Sequence, residues 1–174
     1  VISSIDSLSD ETLSTIAKFI HLIADTGFTI KLLMSSTTKL QPSSQSSQYI
    51  ESLLSSETNN WEFCYTYEKN SWLNTLAKAK LLISLQQADI IAANFVNTPC
   101  LTLGTTFENI HLTKDINIQP PLELTSPNLC DQLIQHSVAI LENPDFCLTP
   151  ESQKLTLIQQ AKQNLAFLAE HIKK

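Results

Sequence analysis

The feature that most constrains this chain is its alternation of short β-like runs with longer helical ones. Val1–Ile5, Phe28–Met34, Trp61–Tyr67, Leu81–Leu85 and Pro99–Gly104 read as strands. Helical patterns stand between them. Leu13, Ile16, Ala17, Ile20, Ile23 and Ala24 recur at helical spacing after the polar start Ser7–Thr12, and Gly27 follows as a residue able to take positive φ beyond the helix end. Gln45–Ser56, Ser71–Lys80 (Leu73, Leu76 and Ala77 inward) and Ala88–Val96 are the next helices. Repeated strand–helix alternation predicts an α/β fold: a Rossmann-like parallel sheet with helices on both faces. A chain of 174 residues suits one such domain, spanning 1–174.

Beyond Gly104 the pattern changes. Thr105–Pro121 reads as irregular, with an edge strand near Ile116–Ile118, and Ser126–Glu142 as a helix. Thr149-Pro150-Glu151 opens a terminal helix over 150–174, whose apolar face is Leu155, Ile158, Leu165, Leu168 and Ile172. The serine-rich stretch Ser35–Gln48 reads as a loop. Because the chain opens on Val1 inside a strand-like run, the expectation is a piece of a longer protein.

Two absences narrow the chemistry. All 11 basic residues are lysines, so no guanidinium can clamp a phosphate or carboxylate bidentately. The 2 glycines, Gly27 and Gly104, cannot make GxGxxG or a P-loop, and there is no GxSxG elbow. A net charge of −6 argues against a nucleic-acid partner. Cys64, Cys100, Cys130 and Cys147 show no metal-ligand spacing, so no metal and no cofactor are expected. They read as reduced packing thiols of a cytoplasmic protein, and no apolar run is long enough for a transmembrane segment.

In parallel sheets ligands bind beyond the carboxyl ends of the strands. That rule nominates Ser35–Lys39, Tyr67–Ser71, Gln86–Asp89 and Gly104–Asn109. Gln86, Gln87 and Asp89 could hold a sugar or a nucleotide ring at a helix start, or simply cap that helix. Gly104 allows close backbone approach, and Thr105, Thr106 and Glu108 could contact a donor, or form an ordinary strand exit. Lys39, Lys69 and Lys114 are the lysines in plausible loops. Of His21, His111, His136 and His171, only His111 falls near this cleft; packing or solvated roles suit all of them better, and no general base is nominated.

The run Ser71–Asn109, "SWLNTLAKAKLLISLQQADIIAANFVNTPCLTLGTTFEN", resembles the C-terminal half of polysaccharide pyruvyl transferases in Ile83-Ser84, the helix bearing Ala92-Ala93, and Pro99. The tail Ala161–Leu168 resembles that family's final helix. Thr98-Pro99 after an alanine-rich helix is also similar to heptosyltransferases. Both resemblances imply one half of a GT-B fold. They imply a small-molecule donor (phosphoenolpyruvate or a nucleotide sugar), a glycan acceptor, and an N-terminal half elsewhere in the same protein. The implied activity is transfer in cell-envelope glycan assembly. Where the pyruvyl transferases carry Arg and His, this chain has Gln86 and Ala88, and the heptosyltransferase Asp, Gly and His are absent too. A degenerate, non-catalytic Rossmann-like interaction module is therefore the competing expectation.

Overall fold

The computed structural model describes residues 1–3, 8–34, 45–54, 60–65, 69–144 and 148–172. Its elements are β1 (Ile2–Ser3), α1 (Asp10–Ala24), β2 (Ile30–Met34), α2 (Gln45–Leu54), β3 (Trp61–Tyr65), α3 (Lys69–Ala77), β4 (Leu82–Ser84), α4 (Gln87–Phe95), β5 (Cys100–Thr102), α5 (Phe107–Asp115), α6 (Leu129–Glu142) and α7 (Glu151–Ile172). The five strands form one sheet in the order β3-β2-β1-β4-β5, and every pairing is parallel. The Rossmann-like α/β fold is thus observed.

Side-chain alternation along each strand divides the core in two. Ile2, Leu32, Ile83 and Leu101 face α1, α2 and α6, where they pack with Leu13, Ile16 and Ile20. Leu33, Leu82 and Cys100 face the other way, against Leu76, Ile90 and Ala93 of α3 and α4. Helix α1 starts where the polar signal placed it: the Ser9 hydroxyl accepts from the Thr12 N–H at 3.3 Å. Its C-cap is Asp25, and Gly27 two residues on takes φ +91° and donates its N–H to Ala24 O at 3.0 Å.

Four expectations need correction. The region after Gly104 is not irregular with an edge strand at Ile116–Ile118: it holds α5, whose N-cap Thr106 accepts from the Asn109 N–H at 3.2 Å. The only strand-like contact there is a parallel bridge from Leu103 to Leu122, among the described residues. Ala77 is exposed rather than inward, because α3 presents Leu76 to the core. Leu155 and Ile158 are also exposed; the α7 residue set against the core is Leu157. The Thr149 hydroxyl turns away from the α7 start, 2.7 Å from Asn94 Oδ1 and 2.6 Å from Ile116 O, which anchors the approach to α7 onto α4 and α5. Side chains of Leu165, Leu168, His171 and Ile172 lie outside the described residues, as do Cys147 and Ser35–Ser44; Gln45–Gln48, at the end of the serine-rich stretch read as a loop, belong to α2.

Candidate functional site at the carboxyl edge of the sheet

β1 is followed by β2 on one side of the sheet, while β4 returns to its other side, so the switch point lies between β1 and β4. At that point three polar side chains meet inside the protein. Ser3 Oγ lies 2.8 Å from Ser84 Oγ and 2.6 Å from Asp89 Oδ2, and Ser84 Oγ lies 3.1 Å from the same carboxylate oxygen. All three residues are buried. Two hydroxyl protons serve these three contacts, and the carboxylate is the acceptor on which they converge. The Gln86 N–H donates to Ser84 Oγ at 3.0 Å, so the end of β4 also satisfies the first backbone donor of α4.

Asp89 therefore does its bonding inward. It sits in the first turn of α4, where its charge suits the helix dipole, and it ties β1 to β4. In the next strand Thr102, paired in register with Ser84, has a fully buried hydroxyl with no hydrogen-bond partner among the described residues. The last row of the sheet is thus hydroxyl-bearing on three adjacent strands.

A second polar residue joins the two loops next to this row. The Asn109 side-chain amide faces Leu85 O at 3.2 Å, Leu103 O at 3.0 Å and Gly104 O at 3.1 Å. It holds the exit of β4 beside the exit of β5. Gly104 takes φ +80° there, and a Cβ would meet only Leu124 Cδ1 at 3.7 Å and Asn109 Nδ2 at 3.9 Å. Those are ordinary contacts, so only the backbone conformation penalises a side chain. Gly104→Ala is expected to cost about 1–2 kcal/mol, read as a lower urea midpoint with an unchanged slope.

The expected site residues thus fall into two sets. Gln86, Gln87, Thr105, Thr106 and Glu108 are exposed at the starts of α4 and α5, while Asp89 and Gly104 are buried beneath them. Thr106 is committed to capping α5, and Gln86 is the N-cap of α4 without a side-chain capping bond. The loop Ser35–Lys39 and residues 66–68 lie outside the described residues. Lys114 stands in the last turn of α5, about 12 Å along the helix from Thr106, at the end away from this edge. His111 is exposed one turn into α5, its ring 4.1 Å from that of Phe107. His21 Nε2 lies 3.3 Å from Leu53 O and His136 Nδ1 2.6 Å from Gln119 Oε1, which are packing roles. No group of three or more His, Cys, Asp or Glu is placed to hold a metal among the described residues. No helix among them is long and apolar enough to cross a membrane.

Sequence reasoning missed Ser3 and Thr102, and it placed Asn109 within a nominated loop without giving it a role. Asn109 had a legible signal, a Thr-x-x-Asn helix start two residues after a positive-φ glycine position. Ser3 and Thr102 had none, since a hydroxyl within an apolar strand reads as any other strand residue.

No protein-family profile matches the chain, and no curated protein matches it. Among solved structures it is similar to the UDP-GlcNAc 2-epimerase of Neisseria meningitidis bound to UDP-GlcNAc, with a TM-score of 0.63 and 17% identity. The similarity covers 92% of this chain and 43% of the epimerase chain, so this chain spans less than half the length of that protein. The likeness supports a Rossmann-like half of GT-B type and does not single out pyruvyl transferases.

Proposed function

We propose that this domain binds the nucleotide part of a sugar nucleotide along the carboxyl edge of its sheet, as the donor-binding half of a transferase in cell-envelope glycan assembly. The observation that carries this is the Asn109 clamp, which holds the starts of α4 and α5 side by side next to the switch point. The structural neighbour's capture in complex with UDP-GlcNAc supports the choice of donor class.

In this arrangement two helix N-termini supply partial positive charge toward a diphosphate, in a chain without arginine. Gln86, Gln87, Thr105 and Thr106 offer exposed amides and hydroxyls at the same edge. Glu108 would repel phosphate and suits a ribose or sugar hydroxyl instead. Asp89 is a positioning residue: through Ser84 it sets the turn that presents Gln86. The glycan acceptor would be met by a second half of the protein.

A thermal-shift series with UDP, UDP-GlcNAc and phosphoenolpyruvate, each with and without Mg²⁺, tests this. A ligand at 100 times its Kd adds about 2.7 kcal/mol, which for a chain of this length is about 5–10 °C. UDP and UDP-GlcNAc are expected to raise Tm, and Gln86→Ala with Thr105→Val to shrink the shift without lowering the unliganded Tm. A shift with phosphoenolpyruvate alone would replace the sugar nucleotide by that donor. A flat series on a cooperatively unfolding sample would overturn donor binding and leave the non-catalytic module.

A further inference from the structure

A cavity of about 700 Å³ lies at the opposite, amino edge of the sheet, where Val1, Thr29 and Leu81 lead into β1, β2 and β4. Its volume is in the range of ligand pockets. Phe19, Ile23, Leu81, Ile83 and Leu141 give it an apolar floor. The charged side chains lining it are Lys31, Lys78 and Lys80, beside the Val1 amino group that donates to Leu81 O; no aspartate or glutamate lines it among the described residues, although the chain carries 17 acids against 11 lysines. Lys31 is engaged by Glu62 at 2.7 Å, which leaves Lys78 and Lys80, both exposed, as the cations at the mouth. A second observation is independent of charge. Ser137, on α6, lines the cavity with a buried hydroxyl that has no hydrogen-bond partner among the described residues. An unpartnered buried hydroxyl costs free energy unless something arrives to bond it.

We propose that this cavity binds a linear aliphatic carboxylate, its chain on the Phe19–Leu141 floor, its charge beside Lys78 and Lys80, and one oxygen accepting from Ser137. The site is separate from the donor edge and does not depend on it.

Isothermal titration of the chain with laurate, kept below its micelle concentration, tests the proposal. A saturable one-to-one isotherm is expected. Lys78→Glu with Lys80→Glu, both at exposed positions, should weaken it about tenfold or more, as loss of hydrogen bonds to charged groups does. Ser137→Ala should weaken it about fivefold while leaving the unliganded Tm unchanged or higher, since it removes an unpartnered buried hydroxyl. That opposition of signs separates a ligand contact from a packing role. Dodecyltrimethylammonium should not bind. Absence of a laurate isotherm, equal affinity in both variants, or equal binding of the cationic chain would each overturn the proposal.

Discussion

Asn109→Asp is expected to cost about 3 kcal/mol or more at neutral pH, although it changes a single group at constant shape. The asparagine amide has two N–H donors facing three main-chain carbonyls, those of Leu85, Leu103 and Gly104, at a residue only 4% exposed. A carboxylate brings no donor and sets a charge against three carbonyl dipoles. Each buried group left unpaired costs about 1–3 kcal/mol, and more when charged. Asn109→Ala loses the donors without adding the charge and should cost about 2–3 kcal/mol. Urea unfolding of the three proteins at pH 7 reads both values. If aspartate proves as stable as asparagine there, the two loops are held by something other than this amide. The same variants should lower nucleotide affinity, because the starts of α4 and α5 would no longer be fixed to each other.

When the polypeptide is produced to begin at Val1, its free α-amino group should make stability strongly pH-dependent. The nitrogen is buried and donates to Leu81 O at 2.7 Å. Burial first, and the nearby Lys31 second, lower its pKa from 8.0 to about 5. The unfolded chain therefore binds a proton that the folded chain lacks throughout the interval between those values. Stability rises with pH from about 5 to about 8 and is level in this contribution on either side. Three pKa units correspond to about 4 kcal/mol. Urea unfolding at pH 5, 6.5 and 8 measures the slope. Two residues added before Val1 turn that nitrogen into an amide and should remove the slope. An unchanged slope in the extended chain would show that other groups carry the pH dependence.

The fold was largely legible because a parallel sheet buried on both faces declares itself through apolar runs separated by helical periodicity. Leu81–Leu85 and the Leu13–Ala24 stripe needed nothing more. Helix α5 escaped because two of its three apolar residues face outward, Phe107 at 73% exposed and Ile110 at 46%, so that Leu112 alone packs inward and no stripe marks the helix. Its one reliable sign is the Thr106 cap. On α7 the exposed Leu155 and Ile158 mimic a core face that the packing does not use. The candidate site was legible as a place but not as a division of labour. Loop position nominated Gln86–Asp89 and Gly104–Asn109 together, yet the exposed members and the buried Asp89 have different neighbours. That difference arises from Ser3, 86 residues earlier in the chain, which no local pattern connects to Asp89.

The place of β1 also shapes how the chain must fold. This two-residue strand is the only link, within the described sheet, between the β2–β3 pair and the β4–β5 pair. On the β4 side, Val1 N bonds to Leu81 O and Ser3 Oγ to Ser84 Oγ, 80 and 81 residues away along the chain. Each flank can assemble from nearby segments, but joining them means closing a loop of that length around very few hydrogen bonds. Loop-closure entropy is lost before the contacts form. The rate-limiting step in refolding should therefore be this closure, with the amides of β1 and β4 gaining protection from hydrogen exchange later than those of α1 or of the β2–β3 pair.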